Sequence, residues 1–279
     1  INLLKNKDAF QYNFITVPGL IDNSNFPTHV SELSSLLSIA RDRGDTMVIL
    51  DNIGYGASVN TSLIAAATRD TSYAASYYPW IMTLNPNNGN QVWVPPSTLI
   101  PGVYAFSDSV SDPWIAPAGV NRGVIGTAVR AERQLSKNTR DDLYKGNVNP
   151  IATFQGSGVT VFGQKTLQKK RSALDRINVR RLLIELKSFI SQVADTLVFE
   201  PNNEITRNNF LAQVNPYLSS VQQRQGLTQF RVVMDESNNT PTTIDNNELI
   251  GAIYLQPTRT AEFIILDFNV LPTGATFPS

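Results

Sequence analysis

"THVSELSSLLSIARDRGDTMVIL", residues 28–50, joins a helix pattern to a strand pattern through a single glycine. Thr28 is placed to cap the helix. The apolar residues that follow recur three and four positions apart, as they do on one face of an α-helix: Val30, Leu33, Leu37 and Ala40. Gly44 predicts the end of this helix, and residues 46–50 are typical of a short buried strand.

The segments on either side continue this alternation. Residues 10–20 are rich in β-branched and aromatic residues and stop at a Pro-Gly pair, which predicts a strand. We expect a second helix over residues 59–70 and an aromatic strand over 72–81. Alternating strands and helices favour an α/β layer. Residues 85–123 contain many turn-forming residues, which predict ordered but irregular structure.

The rest of the chain has a different pattern. A charged helical stretch over residues 127–146 leads to strands within 150–163. The clearest amphipathic helix follows at 178–199, and a second helix is expected over 204–224, with a kink at Pro216. Three predicted strands complete the chain, at 228–235, 248–256 and 261–270.

These patterns predict an α/β fold, α+β overall, in two domains. Residues 1–128 would form part of an α/β layer domain. Residues 129–279 would form a C-terminal α+β domain with a small mixed sheet and two long helices, ending in a strand or arm over 261–279. Because the chain starts at Ile1 and not at a methionine, we expect a fragment of a longer protein whose upstream part is missing.

The composition argues against several classes of function. Basic and acidic residues are equal in number, 23 each, so the chain has no overall positive charge for nucleic acid. The absence of cysteine and the single histidine, His29, argue against a thiolate site, a two-histidine metal site or a histidine-dependent triad. No apolar stretch approaches 18 residues, so no membrane insertion is expected. We therefore predict no cofactor, no metal and no catalytic residue.

One enzymatic alternative uses Asp51 and Ser58. Asp51 follows a buried strand, the position at which open α/β sheets bind ligands, and Ser58 lies in the loop beyond it. The loop lacks both the second glycine of a nucleophile elbow and a phosphate-binding lysine. An α/β-hydrolase-like enzyme is therefore the weaker hypothesis.

Residues 111–125, "SDPWIAPAGVNRGVI", combine a large aromatic side chain with turn-forming residues. We expect a rigid packing motif that holds the α/β layer against the C-terminal domain, because prolines limit the freedom of the unfolded chain. Arg122 would form either an intersubunit contact or an internal contact with carbonyl groups. The motif residues are Trp114, Pro117, Gly119 and Arg122.

The predicted last strand, residues 261–270, carries apolar residues on both faces, although strands at chain ends are seldom fully covered. Two outcomes remain open. The strand pairs within its own sheet, or it is donated to another chain by strand addition. Its candidate contact residues are Glu262, Phe263, Ile264, Ile265, Leu266 and Phe268.

Several short segments are distinctive when they are taken together in chain order: 71–80 TSYAASYYPW, 94–97 VPPS, 112–119 DPWIAPAG, 147–151 NVNPI, 161–167 VFGQKTL, 177–181 INVRR and 258–264 TRTAEFI. In this order, and over nearly the whole chain, they resemble the sheath protein of contractile phage tails, particularly of the T-even type. The sequence departs from the family at Gln164 and Lys165, where a small residue and Arg are more usual, and at Thr260, where Pro is common.

The resemblance implies a structural subunit that polymerises as stacked hexameric rings around a tail tube. On a signal from the baseplate, such a sheath shortens and drives the tube through the host envelope. The resemblance also implies a tube-facing C-terminal domain and terminal arms that add strands to neighbouring subunits. The implied partners are other copies of the chain, the tail tube protein, the baseplate and the tail-terminator proteins. The implied location is the virion tail, after assembly in the cytoplasm of the host bacterium.

The basic residues near the middle of the chain then become candidates for contact with an acidic tube: Lys165, Lys169, Lys170 and Arg171. Two alternatives to a phage sheath remain besides the enzyme. One is the sheath of a non-virion contractile machine, such as a bacteriocin or a secretion system. The other is a monomeric receptor-binding module, which would not associate with itself.

Overall fold

The computed structural model describes residues 1–7 and 9–262 of the chain. Helices and strands alternate over its first half, and two long helices and a hairpin follow. In chain order the elements are β1 (Phe14–Ile21), α1 (Pro27–Arg43), β2 (Met47–Asp51), α2 (Val59–Ala66), β3 (Ala74–Tyr78), β4 (Ile81–Leu84), β5 (Gln91–Val94), α3 (Ile100–Val110), β6 (Ala128–Ala131), α4 (Lys137–Lys145), β7 (Asn149–Phe154), β8 (Gly158–Val161), α5 (Ile177–Asp195), α6 (Glu204–Gln223), β9 (Leu227–Val233), α7 (Pro241–Asp245) and β10 (Ala252–Pro257).

A five-stranded sheet organises the first part of the molecule, in the order β1-β2-β3-β7-β8. The first three pairings are parallel, and β8 runs antiparallel to β7. Every residue of β2 and β3 is buried, because both faces of the sheet are covered. Val48 and Leu50 pack on the face covered by α1, whereas Met47 and Ile49 pack on the face covered by α3 and the start of α5.

The second part of the molecule has its own core between α5, α6 and the antiparallel hairpin β9–β10. Buried side chains recur on the facing sides of the two helices, as the 3.6-residue period requires. Trp114, which precedes this region by more than sixty residues, packs in the same core. The helices contribute Leu182, Leu186, Val193, Phe210, Val214, Leu218 and Val221.

The mixed α/β and α+β character predicted from the sequence is confirmed, and several details of the prediction are wrong. Thr28 does not cap α1, because Pro27 already occupies the first turn of that helix. Gly44 does end it, in the left-handed conformation with φ of +72°. The strand predicted over 72–81 is two strands, β3 and β4, which belong to different sheets.

Two further predictions need correction in the middle of the chain. The segment 85–123 is not irregular throughout, because it contains β5 and the eleven-residue helix α3. Pro101 lies in the first turn of α3, where its missing N–H has no helical partner to lose. The charged stretch 127–146 begins as strand β6 and becomes helical only at Lys137, after Ser136 caps α4.

The division into two domains at residue 128 stays a prediction. The five-stranded sheet contains strands from both sides of that position, since β7 and β8 lie C-terminal to it. The core around α5 and α6 is distinct from the two cores that flank the sheet. None of the helices described here is long and apolar enough to span a membrane.

Candidate interface site at the start of the C-terminal segment

After β10, the chain passes the start of α5 and is held there by side-chain and backbone contacts. The Thr258 amide donates to the Gly226 carbonyl at 3.2 Å. The Asn178 side chain, in the first turn of α5, donates to Thr260 Oγ1 at 3.2 Å. These contacts fix the path of the chain as far as Glu262, the last residue that the structure describes.

Glu262 ends this path in a two-pronged ion pair with Arg176, the residue that precedes α5. Arg176 donates from Nε at 2.6 Å and from Nη2 at 2.9 Å, one bond to each carboxylate oxygen. Gln164 adds a third bond to the carboxylate, at 3.1 Å. Both charged side chains are largely shielded from water, which strengthens the pairing relative to an exposed pair. We call Gln164, Arg176 and Glu262 the C-terminal clasp.

Tyr144 of α4 extends the clasp on one side. Burial and the negative charge of Glu262 raise the pKa of its phenol well above the usual range, so the group stays neutral. Lys165 lies over the same ring, with Nζ 4.6 Å from its centroid. Burial and the nearby Arg176 lower the pKa of Lys165.

Of the candidate strand-donating residues, only Glu262 falls in the described part of the chain. Phe263, Ile264, Ile265, Leu266 and Phe268 lie outside the described residues, so strand donation stays a prediction. The clasp holds Glu262, the residue that directly precedes this apolar segment in the sequence.

Three of the four predicted tube-contact residues line one cavity beside the clasp. Lys165, Lys169 and Arg171 face a cavity of about 730 Å³, together with Arg176 and Arg259. Lys170 is exposed next to it, as are Lys169 and Arg171, whereas Lys165 is half-buried. The Asn149 side chain holds the loop by accepting from the Lys165 amide at 2.6 Å and donating to its carbonyl at 2.8 Å. The basic residues therefore form a positively charged surface on a fixed loop.

Trp114 of the rigid motif is buried between α5 and α6. Its indole Nε1 donates to the Arg224 carbonyl at 3.0 Å, and the Arg224 guanidinium lies 4.7 Å from the ring centroid. Asn178 donates to the Trp114 carbonyl at 3.3 Å. A Cβ on Gly226 would contact the ring at 3.1 Å, so the indole fills its site closely.

The rest of the motif is tied to strand β8. The Gly119 amide donates to the Val161 carbonyl at 2.9 Å, and the Val161 amide donates to the Gly123 carbonyl at 2.7 Å. Gly119 has a φ of +83°, a conformation that glycine adopts without steric cost. Pro117 is buried. Arg122 donates from Nε to the Ala116 carbonyl at 3.3 Å, so within this chain it forms a contact with a carbonyl group.

Asp51 and Ser58, the residues of the enzymatic alternative, have separate structural roles. The Asp51 carboxylate is buried and accepts from the amide and the hydroxyl of Ser97 at 3.0 and 2.5 Å. Ser58 caps α2 by accepting from the Thr61 amide at 3.2 Å. In residues 1–7 and 9–262, no group of three or more His, Asp and Glu side chains could hold a metal ion.

The burial of Asp51 predicts a measurable pH dependence. Desolvation raises the pKa of its carboxyl group to about 6, from 3.8, despite the bonds from Ser97. Because the folded-state pKa is raised, the folded protein binds this proton more tightly than the unfolded chain. The stabilising contribution is therefore complete below the unfolded pKa and lost as the pH rises through about 6.

The proton on Asp51 raises the unfolding free energy of the wild type at pH 4 by about 2 kcal/mol relative to its value at pH 7. We expect Asp51→Asn to lose this difference. Urea unfolding of both proteins at the two pH values, followed by circular dichroism, measures this difference. Asp112→Asn, on an exposed ion pair with Arg224, serves as the control. Identical pH dependence in the wild type and Asp51→Asn would contradict the assignment.

Arg176 is not among the functional residues predicted from the sequence, although a local signal is present. Arg176 directly precedes a nineteen-residue helix, and a cation at a helix N-terminus is unfavourable next to the helix dipole. Carboxylate partners offset this, and Arg176 has two: the adjacent Asp175 at 2.9 Å and Glu262, 86 positions along the chain, at 2.6 Å. Nothing in the local sequence indicates that distant partner.

Comparisons with known proteins agree with this architecture. Residues 169–271 match the phage tail sheath C-terminal domain. The chain is 41% identical over 265 residues to the tail sheath protein of Vibrio phage KVP40, covering 95% of this chain and 37% of that protein. It is 40% identical over 185 residues to the tail sheath protein of Enterobacteria phage T4, covering 66% of this chain and 28% of that protein. The chain thus spans about a third of the length of these relatives.

Among solved structures, the chain is similar to the sheath complex of an extracellular contractile injection system, PVC, in its contracted state. The TM-score is 0.77 at 26% identity, with 93% of this chain and 71% of that chain covered. The matched region includes both the five-stranded sheet and the α5–α6 core, since nearly the whole chain is aligned. The chain therefore belongs to the family of phage tail sheath proteins, with the family's C-terminal domain in residues 169–271.

Proposed function

We propose that this chain is a structural subunit of a contractile tail sheath, which polymerises as stacked hexameric rings around a tail tube. Contraction of the sheath drives the tube through the host envelope and leads to genome ejection. The observation that carries the proposal is the 41% identity to a tail sheath protein over 95% of the chain. The relatives are structural tail sheath proteins and not enzymes, which argues against the hydrolase alternative.

The partners that follow from this role are further copies of the chain, the tail tube protein, the baseplate and the tail-terminator proteins. The location is the tail of the virion, after assembly in the bacterial cytoplasm. A second candidate is the sheath of a non-virion contractile machine. The similarity to the PVC sheath favours that candidate, because the structural alignment covers 93% of this chain with a TM-score of 0.77.

The C-terminal clasp supports a role for the terminal segment in linking subunits. A segment that carries load between subunits needs a firm point of departure from its own subunit. Glu262 provides one, through three hydrogen bonds to side chains that precede or begin α5. In this proposal the predicted terminal strand, residues 261–270, would pair with a neighbouring sheet through main-chain hydrogen bonds, an interaction that survives rotation of rigid subunits.

The basic surface beside the clasp supports a contact with an acidic tail tube. Lys169, Lys170 and Arg171 are exposed, and their loop is anchored where the Lys169 amide donates to Asp70 at 2.9 Å. No ion pair neutralises these three cations in the described part of the chain. Their charge is therefore available to a partner.

Negative-stain electron microscopy of the purified full-length protein tests the proposal. We expect hollow tubes from the intact protein and none from a chain that ends at Glu262, which keeps the clasp but lacks residues 263–279. Tubes from both would retain the sheath and remove the donated strand. Discrete particles from the intact protein, at every concentration and salt condition, would contradict the sheath function.

The tube contact is tested in the same preparation with Lys169→Glu and Lys170→Glu combined. We expect this variant to form sheath but no longer to sediment with tail tubes. Reversal of Lys5 and Arg41, two exposed cations elsewhere, is the matched control and should leave co-sedimentation unchanged. Unchanged co-sedimentation of the Lys169–Lys170 variant would place the tube contact on another surface.

A further inference from the structure

The turn between α5 and α6 and the first turn of α6 present three apolar side chains to solvent. Phe199 is fully exposed, and Val198 and Ile205 are each more than half exposed. An isolated exposed apolar residue needs no explanation, but three adjacent ones form a patch of the kind that marks a contact surface. We call Val198, Phe199 and Ile205 the turn patch.

The backbone conformation of the turn patch is energetically unfavourable at Phe199. Phe199 has a φ of +72°, a left-handed conformation that is unfavourable for a bulky residue. Strain at such a position persists only where function or the surrounding structure requires it. Within the described residues, the Phe199 ring gains no burial in return, because it is fully exposed.

Three carboxylates lie close to the turn patch in the sequence: Asp195, Glu200 and Glu204. All three are exposed, and none forms a salt bridge among residues 1–7 and 9–262. The exposed apolar residues of the turn are therefore accompanied by exposed acidic residues. A partner that covers it must be apolar at its centre and basic at its edge.

A groove with that character lies beside the C-terminal clasp. It has a volume of about 700 Å³ and is lined mainly by apolar surface from Ala116, Ala118, Pro150 and the half-exposed Phe162. We call this the Phe162 groove. Its rim carries the cations Arg122, Lys137 and Arg140.

The charge of the groove rim is not cancelled from within. Arg140 lies over the rings of Phe154 and Phe162, at 5.0 and 5.5 Å from their centroids, and makes no salt bridge in the described chain. Of the two carboxylates in the groove, Glu262 is already paired with Arg176, which leaves Asp141 as the opposing charge. The rim is thus net positive, opposite in sign to the surroundings of the turn patch.

The patch and the groove lie at opposite ends of α5. The turn patch follows Asp195, the last residue of α5. The groove is lined by Glu262, which is bonded to Arg176, the residue that directly precedes α5. A nineteen-residue helix is about 28 Å long, so the turn of one copy does not reach its own groove. A turn patch that occupies this groove must therefore come from another molecule.

We propose that the turn patch of one copy seats in the Phe162 groove of the next copy. The inference rests on the proposed function, for which it supplies one of the contacts between subunits. A contact between two different surfaces of the same chain is heterologous, and its repetition generates rings or helical filaments. Apolar burial would provide the free energy of this contact, and the opposite charges beside the two surfaces would set its register.

Cysteine cross-linking tests the contact directly, because residues 1–279 contain no cysteine of their own. Glu200→Cys beside the patch is combined with Lys137→Cys at the groove, and both side chains are exposed. We expect a bis-maleimide reagent to give a ladder of dimers and higher oligomers from the assembled protein. Glu200→Cys combined with Asn88→Cys, at an exposed hairpin tip, is the matched control and should give no ladder.

Charge exchange provides a second measurement that does not depend on cross-linking geometry. We expect Glu200→Lys to raise the concentration needed for assembly about tenfold, the scale of one lost interface charge pair. Lys137→Glu in the same chain should restore assembly. Tubes that form without a ladder, and without rescue, would overturn this contact while leaving the sheath function intact. Absence of tubes from the unmodified protein would overturn both.

Discussion

Replacing Trp114 by alanine is expected to lower the free energy of unfolding by about 3–5 kcal/mol, the range for large aromatic side chains in cores. The indole is 4% exposed and packs against both long helices. Its removal would leave a cavity and would also leave the Arg224 carbonyl without its donor. Urea unfolding followed by circular dichroism measures the loss.

Two variants control this prediction. Trp93→Ala removes an indole of the same size from the short strand β5, where it is only half-buried, and should cost clearly less. Trp114→Phe keeps an aromatic ring but loses the hydrogen bond to Arg224 and should fall between the two alanine variants. Equal losses from Trp114→Ala and Trp93→Ala would show that Trp114 does not anchor the α5–α6 core.

Trp114 belongs to a segment that contacts two parts of the fold. The indole lies in the α5–α6 core, while Gly119 and Gly123 of the same segment bond to strand β8 of the central sheet. The segment thus connects the sheet to the helical pair over ten residues. We propose that this connection lets the subunit move as one body during contraction.

The elements predicted correctly from the sequence are those with strong local patterns. The apolar stripe of α5 and the run of buried residues in β2 are both continuous in the sequence, and each follows from burial on one or two faces. Gly44 marks a helix end because glycine adopts the required left-handed conformation more easily than other residues. For these elements, local sequence and tertiary environment demand the same conformation.

The elements predicted wrongly are those whose conformation depends on distant partners. The residues of α3 include Pro101 and Gly102, which suggest a turn, and the helix forms because Val103 and Tyr104 pack onto the sheet. Strand β6 lies within a charged sequence with helical periodicity, and its pairing with β4 determines its conformation. The C-terminal clasp joins residues 86 positions apart, a contact that single-sequence patterns do not reveal.

Gly123→Ala is expected to destabilise the fold by about 3 kcal/mol, at the upper end of the range for added atoms in a packed interior. A Cβ at this position would lie 2.6 Å from the Val161 carbonyl oxygen and 2.8 Å from the Gly119 amide nitrogen. Both are backbone atoms that take part in hydrogen bonds, so neither can move aside as a flexible side chain would. Relief of the contact requires separation of the motif from β8.

Gly126→Ala is the matched control for this effect, because it lies three residues further along and a Cβ there meets no atom within 4 Å. Its unfolding free energy should stay within about 0.5 kcal/mol of the wild type. Gly123→Ala should also fail to assemble into tubes at temperatures where Gly126→Ala still assembles, since the subunit would no longer be held as one body. If both variants unfold at the wild-type urea concentration, the tie between the motif and β8 contributes nothing to stability, and the rigid-subunit proposal loses its structural basis.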